Sequence, residues 1–391
     1  MRIFKGVNLG GWLMMEGYLL GGRNIAESYF KRRFRSVYGK EELYKFERHF
    51  RNNFIEENDF KLIAGLGADC VRLPFNFRII GEPPFSRINS GFRYLDKAFD
   101  WAEKYRLKII LDLHAACGAQ NKDWHADSMG SSYLWSNSRY RERTYILWEA
   151  VAQRYKYRDA LLGYDVLNEP VVGKKDMKIL TRFYSSLIKR IRAVDKKHTI
   201  FLEGNLWAQR IEFMEGLLGE DIAVSIHAYQ PLDYTFNFIP YLSYPGRIGK
   251  VLWNKRKVYN YLRPYYDFSR RNKVDIFVGE FGVNFRGGHS GEISYLGDIL
   301  EVFDSYHFSY TYWTYKAISG FVFPNGIYQY ISNPDFLSRQ GPVFGWENYF
   351  KLWGRFKSKI IKSWRTSEYT FNKDIGKVLK KYFNKKSVKS S

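Results

Sequence analysis

Along almost the whole chain, short runs rich in apolar and β-branched residues alternate with longer stretches in which apolar side chains recur every three to four positions. The first pattern suits buried strands and the second amphipathic helices. Their alternation is the rhythm of parallel strands joined by crossover helices. Strand-like runs fall at residues 4–8, 70–74, 108–113, 163–167, 199–203, 223–228, 276–280 and 310–314. Helical spacing is plainest over residues 94–105, 140–155, 177–194, 258–271 and 295–306. Eight such units predict an α/β chain folded as a single (β/α)8 TIM barrel over residues 1–370. A doubly wound sheet is the rival, but no GxGxxG or phosphate loop follows any run. In the basic segment 371–391, Ile375, Val378, Leu379 and Tyr382 share one helical face. That spacing predicts a short helix packed on the barrel, with the last few residues disordered.

The polar residues cluster where barrel chemistry belongs. The runs end on, or are followed by, Asn8, Arg72, His114, Asn168 with Glu169, Glu203, His227 with Tyr229, Glu280, and Trp313. In a barrel all of these face one mouth. A lone Arg, His or Trp usually serves stability, but eight successive strands ending in hydrogen-bonding or aromatic groups are not explained that way. Three connections, 13–54, 115–139 and 230–257, are longer than a compact unit needs and are expected as loops that shape a binding site. Their aromatics Trp124, Trp135, Tyr234, Phe236, Phe238 and Trp253 are candidate platforms for flat ligand faces, although each alone is more often packing.

Two carboxylates sit where strands stop. Asn168-Glu169-Pro170 follows the fourth run and Gly279-Glu280-Phe281-Gly282 the seventh. Those positions lie on opposite sides of a barrel mouth and can converge across it. Cleaving a glycosidic bond with retention needs such a pair about 5–5.5 Å apart, one protonating the leaving oxygen and the other attacking the anomeric carbon. Arg72 would hold Glu280 ionised and Tyr229 would orient it. The charge on Glu280 would then push Glu169 toward a raised pKa, with His227 tuning it. Asn168 suits a hydrogen bond to the sugar 2-hydroxyl, and Trp313 a stacking floor beneath the ring. For His114 and His227 the bland alternative is a satisfied core histidine.

Composition narrows the partners. Lys and Arg outnumber Asp and Glu by 62 to 40 in 391 residues, a formal charge of +22, which raises nucleic acid as a partner. The charge is dispersed and no nucleic-acid motif accompanies it, so a solvated basic surface is expected instead. Aromatic residues form 19% of the chain, more than ordinary packing uses. Cys70 and Cys117, without CxxC spacing, read as buried or semi-buried thiols. Asp112 with His114, and His125 with Asp127, supply too few ligands for a metal site, and no HExxH helix occurs. Neither metal nor cofactor is expected. No apolar run reaches membrane-spanning length and no signal peptide is visible, which leaves a cytoplasmic location as the expectation. Oligomeric state is unassigned.

Taken together, these motifs resemble glycoside hydrolase family five. The resemblance rests on Gly6-Val7-Asn8-Leu9-Gly10-Gly11-Trp12, residues 46–59, Val71-Arg72-Leu73-Pro74, Asp112-Leu113-His114 with Gln120-Asn121, Asn168-Glu169-Pro170, His227-Ala228-Tyr229 and Gly279-Glu280-Phe281-Gly282, all in family order. It implies a retaining β-glycosidase with Glu169 as acid/base and Glu280 as nucleophile. Arg72, His114, Asn168, His227, Tyr229 and Trp313 would surround the substrate, a β-linked oligo- or polysaccharide or glucoside. The opening segment and the loop 112–121 are similar to the exo-β-1,3-glucanase-like branch. There Glu16 would match a carboxylate that binds the terminal sugar and closes the groove. Cys117 stands where that branch commonly has Pro, and residues 122–137 differ in length and composition. Linkage stays open among β-1,3-glucan, β-1,4-glucan and aryl or lipid β-glucosides. A carbohydrate-binding barrel without activity, and a transglycosylase using the same covalent intermediate, are the rival functions.

Overall fold

The computed structural model describes residues 2–81, 91–318, 320–330 and 345–385. Eight strands close into a barrel: β1 (Lys5–Asn8), β2 (Cys70–Asn76), β3 (Lys108–Ala115), β4 (Leu161–Asp165), β5 (Thr199–Glu203), β6 (Ile222–His227), β7 (Asp275–Phe281) and β8 (Ser309–Tyr312). Every neighbouring pair is parallel, and β1 closes the ring by pairing Lys5 with Tyr310 on β8. All eight strand-like runs of the sequence are therefore present. Parallel strands covered on both faces read as continuous apolar runs, which is why they were legible.

Helices cover the outside: α1 (Glu27–Asn53), α2 (Glu57–Gly65), α3 (Phe92–Lys104), α4 (Ser138–Tyr155), α5 (Met177–Val194), α6 (Lys255–Asn272), α7 (Glu292–Tyr306), α8 (Tyr349–Ser363) and α9 (Lys373–Phe383). Local chemistry starts several of them. The side chains of Asn137, Asn254 and Asn372 accept backbone N–H groups at the starts of α4, α6 and α9, and Glu56 with Asp59 forms a capping box on α2. Among the described residues, no helix is long and apolar enough to cross a membrane.

Three expectations need correction or limits. The connection 13–54, expected as a loop, is mostly the helix α1, broken at Gly39 where φ is +79°. Its Phe30, Phe34 and Phe46 pack against Trp346, Tyr349 and Trp353 around α8, so much of the aromatic excess builds a satellite core beside the barrel. Between β5 and β6 no full crossover helix forms among the described residues, only turns at Asn205–Ala208 and Glu212–Leu217. The tail does fold into α9, which buries Ile375, Leu379, Tyr382 and Phe383 and is tied to the barrel by Lys5 Nζ donating to the Tyr382 carbonyl at 3.0 Å. The expected disorder of the last few residues falls on 386–391, outside the described residues.

Inside the barrel, the two-residue period of a strand sets alternating layers. Cys70, Ile110, Phe201, Ala223 and Phe277 form an apolar plug. Two residues further along their strands, Arg72, Asp112, Glu203 and Ser225 form a polar layer, all of them fully buried. On β7 the regular period would aim Gly279 inward and Glu280 outward. A shift in the β6–β7 register after Ile226 brings Glu280 opposite His227 and turns it to the mouth. Gly279 has no side chain because a Cβ there would lie 3.0 Å from Ser225 Oγ and 3.2 Å from His227 Nε2.

Candidate active site

Arg72 is the hub of the polar layer. Its Nε donates to Asp165 Oδ2 at 2.8 Å, Nη1 to Glu280 Oε1 at 2.9 Å and Asn8 Oδ1 at 3.1 Å, and Nη2 to Asn168 Oδ1 at 2.8 Å and Glu203 Oε1 at 2.9 Å. Asp112 Oδ2 lies 3.2 Å away. One planar cation on β2 with five fixed donors thus serves four carboxylates, on β3, β4, β5 and β7, together. Burial first, and then the charge of Glu203, pushes Asp165 well above the usual carboxylate range, and burial lifts Asp112 to about 7. Asp112, Asp165 and Glu203 bring oxygens within 4.8 Å of one another, but the guanidinium already sits among them as their counter-charge.

Glu169 follows β4 with φ at +47°, a left-handed conformation that a residue with a Cβ adopts only when its surroundings enforce it. Glu203 Oε2 accepts its N–H at 2.6 Å, and Asn121 Nδ2 donates to its carbonyl at 2.9 Å. Its Oε1 lies 2.7 Å from His227 Nδ1, and His125 Nε2 stands 3.5 Å from its Oε2. His227 Nε2 lies 3.2 Å from Glu203 Oε1, and its Nδ1 is 3.6 Å from Glu280 Oε2. Burial disfavours the imidazolium, yet the charges of Glu203 and Glu280 and the bond to Glu169 outweigh it and raise His227 well above its ordinary value. Burial likewise pushes Glu169 up, but the hydrogen bond and charge of His227 hold it down at about 2. This reverses the sequence-based expectation of a raised Glu169. The proton of the pair rests on the imidazole.

Glu280 accepts from Arg72 on Oε1 and from the Tyr229 hydroxyl on Oε2 at 2.9 Å. One oxygen of Glu280, one of Glu169 and a ring nitrogen of His227 lie within 4.8 Å of one another. Above them opens a cavity of about 580 Å³, whose walls include Glu16, His114, Trp124, Glu169, Tyr229, Glu280 and Trp313. The ring of Trp313 stacks on His114 at 5.4 Å and 8°, and its Nε1 donates to the Tyr18 hydroxyl. His114 Nδ1 is 2.7 Å from Asp112 Oδ2. Burial lowers His114 to about 3, so its imidazole is neutral. Glu16 is 2% exposed, and its Oε1 has no hydrogen-bond partner. Burial, then the charges of Glu280 and Glu169, raises its carboxyl well above the ordinary range.

Of the sequence candidates, Arg72, Asn168 and His227 are not part of the cavity wall; they lie directly beneath it, and Arg72 and His227 act through the carboxylates they touch. Asn168 keeps a buried, unpartnered Nδ2. Among the loop aromatics, Trp124, Phe236 and Phe238 line the cavity. Trp135 donates to the Gln120 carbonyl and packs on Phe183, Tyr234 donates to the Ser290 carbonyl, and Trp253 packs on Tyr261; these three are core, not platforms. Sequence reasoning missed Tyr18, Trp207 and Phe323 in the wall and gave Glu203 no role. The inward alternation of Arg72, Asp112, Asp165 and Glu203 was the available signal for the layer beneath. Both cysteines are buried free thiols, as expected.

The Cellulase (glycosyl hydrolase family 5) family matches residues 35–319. A β-xylosidase of Phanerodontia chrysosporium is 30% identical over 331 residues, covering 81% of this chain and 67% of that protein. A probable glucan 1,3-β-glucosidase A of Emericella nidulans is 31% identical over 238 residues, 58% of this chain and 57% of that protein. Among solved structures, an endoglucanase of Thermotoga maritima in complex with cellobiose shares the fold at a TM-score of 0.60 and 20% identity, covering 96% of this chain and 97% of that one. With a match spanning most of the barrel, the chain belongs to glycosyl hydrolase family 5 and is a glycoside hydrolase of the retaining type.

Proposed function

We propose that the protein is an exo-acting β-glucosidase that uses Glu280 as nucleophile and Glu169 as acid/base. The observation that carries the reading is the approach of Glu169 and Glu280, whose nearest oxygens lie within 4.8 Å at the cavity floor. That spacing suits direct attack and leaves no room for the water of an inverting reaction. In the first step a Glu280 oxygen bonds to the anomeric carbon while the bond to the leaving oxygen breaks. The leaving oxygen takes a proton from Glu169, which draws it from His227 across their 2.7 Å hydrogen bond. In the second step Glu169 removes a proton from water, the water oxygen attacks the anomeric carbon, and Glu280 departs. Arg72 and Tyr229 hold and aim Glu280 through one hydrogen bond to each of its oxygens, the free Nδ2 of Asn168 meets the 2-hydroxyl, and Trp313 floors the ring.

Exo action rests on Glu16. A fully buried carboxyl oxygen without a partner, facing the cavity, calls for hydroxyl donors, and the far edge of a terminal sugar supplies them. The likeness to a glucan 1,3-β-glucosidase supports the same reading. The test is hydrolysis of aryl β-glucosides and short β-glucans by the wild type and by Glu280→Ala, with the first product followed by NMR. We expect a β-configured sugar from the wild type and, from the variant with azide, an α-glycosyl azide. Binding without cleavage would instead leave a carbohydrate-binding barrel, and dominant transfer to added sugar a transglycosylase.

A further inference from the structure

We propose that the natural leaving group is apolar, an alkyl, aryl or lipid aglycone instead of a further sugar; this deepens the glycosidase reading above and rests on it. With the sugar held by Glu16 and Trp313, the leaving group emerges on the side of Glu169, where the connections after β5, β6 and β8 form the mouth. There Leu206, Trp207, Leu232, Phe238, Phe321 and Val322 are 37–49% exposed, and the first four line the cavity itself. The loops of this rim are joined to each other, since Asn237 Nδ2 donates to the Phe321 carbonyl at 2.6 Å and Phe323 N to the Phe236 carbonyl at 3.0 Å. Large apolar side chains gathered and left in water around a binding cavity mark a ligand surface.

The amide of Gln209 and one oxygen of Asp123 on the same wall are already committed. Gln209 Nε2 donates to the carbonyls of His227 at 2.6 Å and Trp207 at 3.2 Å. Asp123 Oδ2 accepts from Trp207 Nε1 at 2.8 Å, while Arg210 points to solvent beside Glu212 at 3.8 Å. A glucan leaving group would lay several hydroxyls against the side chains of Leu206, Leu232 and Phe238, which offer no donor or acceptor, and unpartnered hydroxyls are costly to bury. A hydrocarbon asks for no such partners.

The backbone adds an independent sign. Leu206, Trp207 and Ala208 are consecutively left-handed, at φ of +54°, +56° and +59°, with no glycine among them. Residues with a Cβ hold such a run only at a cost, and outliers of this kind cluster at ligand clamps. Here the run turns Leu206 and Trp207 out to the mouth, and the Asp123 bond fixes the indole before anything arrives.

The experiment compares kcat/KM for 2,4-dinitrophenyl β-glucoside, for butyl to octyl β-glucosides as monomers, and for cellobiose and laminaribiose through their tetramers. The wild type and a Trp207→Ser/Leu232→Ser variant are used. We expect kcat/KM to rise roughly tenfold from butyl to octyl in the wild type, a part of what full burial of four methylenes would yield. The same ratio should fall to about threefold or less in the variant, as rim area is lost. A flat alkyl series, an unchanged slope in the variant, or a steeper gain along either glucan series overturns the apolar aglycone. If the dinitrophenyl glucoside is cleaved, those outcomes sink this inference alone; if it is not cleaved, the glycosidase reading falls first. Once the alkyl series rises as expected, a glucosyl lipid in vesicles run beside octyl glucoside separates a membrane source from a free amphiphile.

Discussion

Two layers of the barrel interior lie only one strand period apart and obey opposite chemistry. In the plug of Cys70, Ile110, Phe201, Ala223 and Phe277, shape is the only demand, and any side chain of the right volume would satisfy it. In the layer above, Arg72 is fixed by five donors to five partners, and nothing else of its size has that fork. The plug excludes water from below, so the charges above it interact through a poorly screening medium. The contrast explains how one scaffold stays rigid at its foot while holding several carboxylates ready at its mouth.

The largest test of this contrast is Arg72→Met, which leaves buried carboxylates without their counter-charge. We expect a loss of about 5 kcal/mol in stability and at least a thousandfold in kcat/KM, read by denaturant melts and aryl glucoside kinetics. Because the orphaned acids would then bind protons in the folded state, the stability gap should narrow as pH falls toward 5. Arg72→Lys keeps the charge and loses the fork, so it should fold and still lose most activity. Next comes Phe277→Ala in the plug, with an expected cost of about 3 kcal/mol. Its cost should be the same at pH 5 and pH 8, since no group it touches titrates there. A pH-dependent cost would mean that the two layers are not separate.

How far the sequence discloses these layers follows from the same physics. The alternation Cys70/Arg72, Ile110/Asp112 and Phe201/Glu203 is visible in the chain because a strand's period is two. What it hides is distance. Nothing in the sequence places His227 Nδ1 at 2.7 Å from Glu169, so the proton was expected on the wrong partner. The helix α1 was hidden because its buried apolar residues fall in two separated pairs, Phe30 with Phe34 and Phe46 with Phe50, around the break at Gly39. Trp207 was hidden because a left-handed run over Leu-Trp-Ala has no glycine or asparagine to announce it. Trp135, Tyr234 and Trp253 were overread because a loop aromatic carries no mark of which way it faces.

A smaller effect is expected from His227→Gln, and its size varies with pH. His227 has a raised folded value, so its contribution is complete below its ordinary 6.5 and fades as pH climbs through the folded value. Glu169 has a depressed one, so its contribution is complete above 4.5 and fades as pH falls toward about 2. The wild type should therefore exceed the variant most, by about 2 kcal/mol, between those two limits, and the gap should shrink on either side. The basic limb of kcat/KM should move to lower pH in the variant, because the proton then sits on a carboxyl instead of on the pair.

The smallest effect probes the boundary between the layers. Ser225 stands on β6 between Ala223 of the plug and His227 of the site, fully buried, and its hydroxyl has no hydrogen-bond partner among the described residues. A buried hydroxyl without a partner destabilises relative to a methyl group. Ser225→Ala should thus be neutral or raise stability by up to about 1 kcal/mol, with kcat/KM for an aryl glucoside little changed. If the variant instead loses more than about 1 kcal/mol, the Ser225 hydroxyl helps hold the polar layer together, and the charged network reaches β6 directly above Ala223 of the plug.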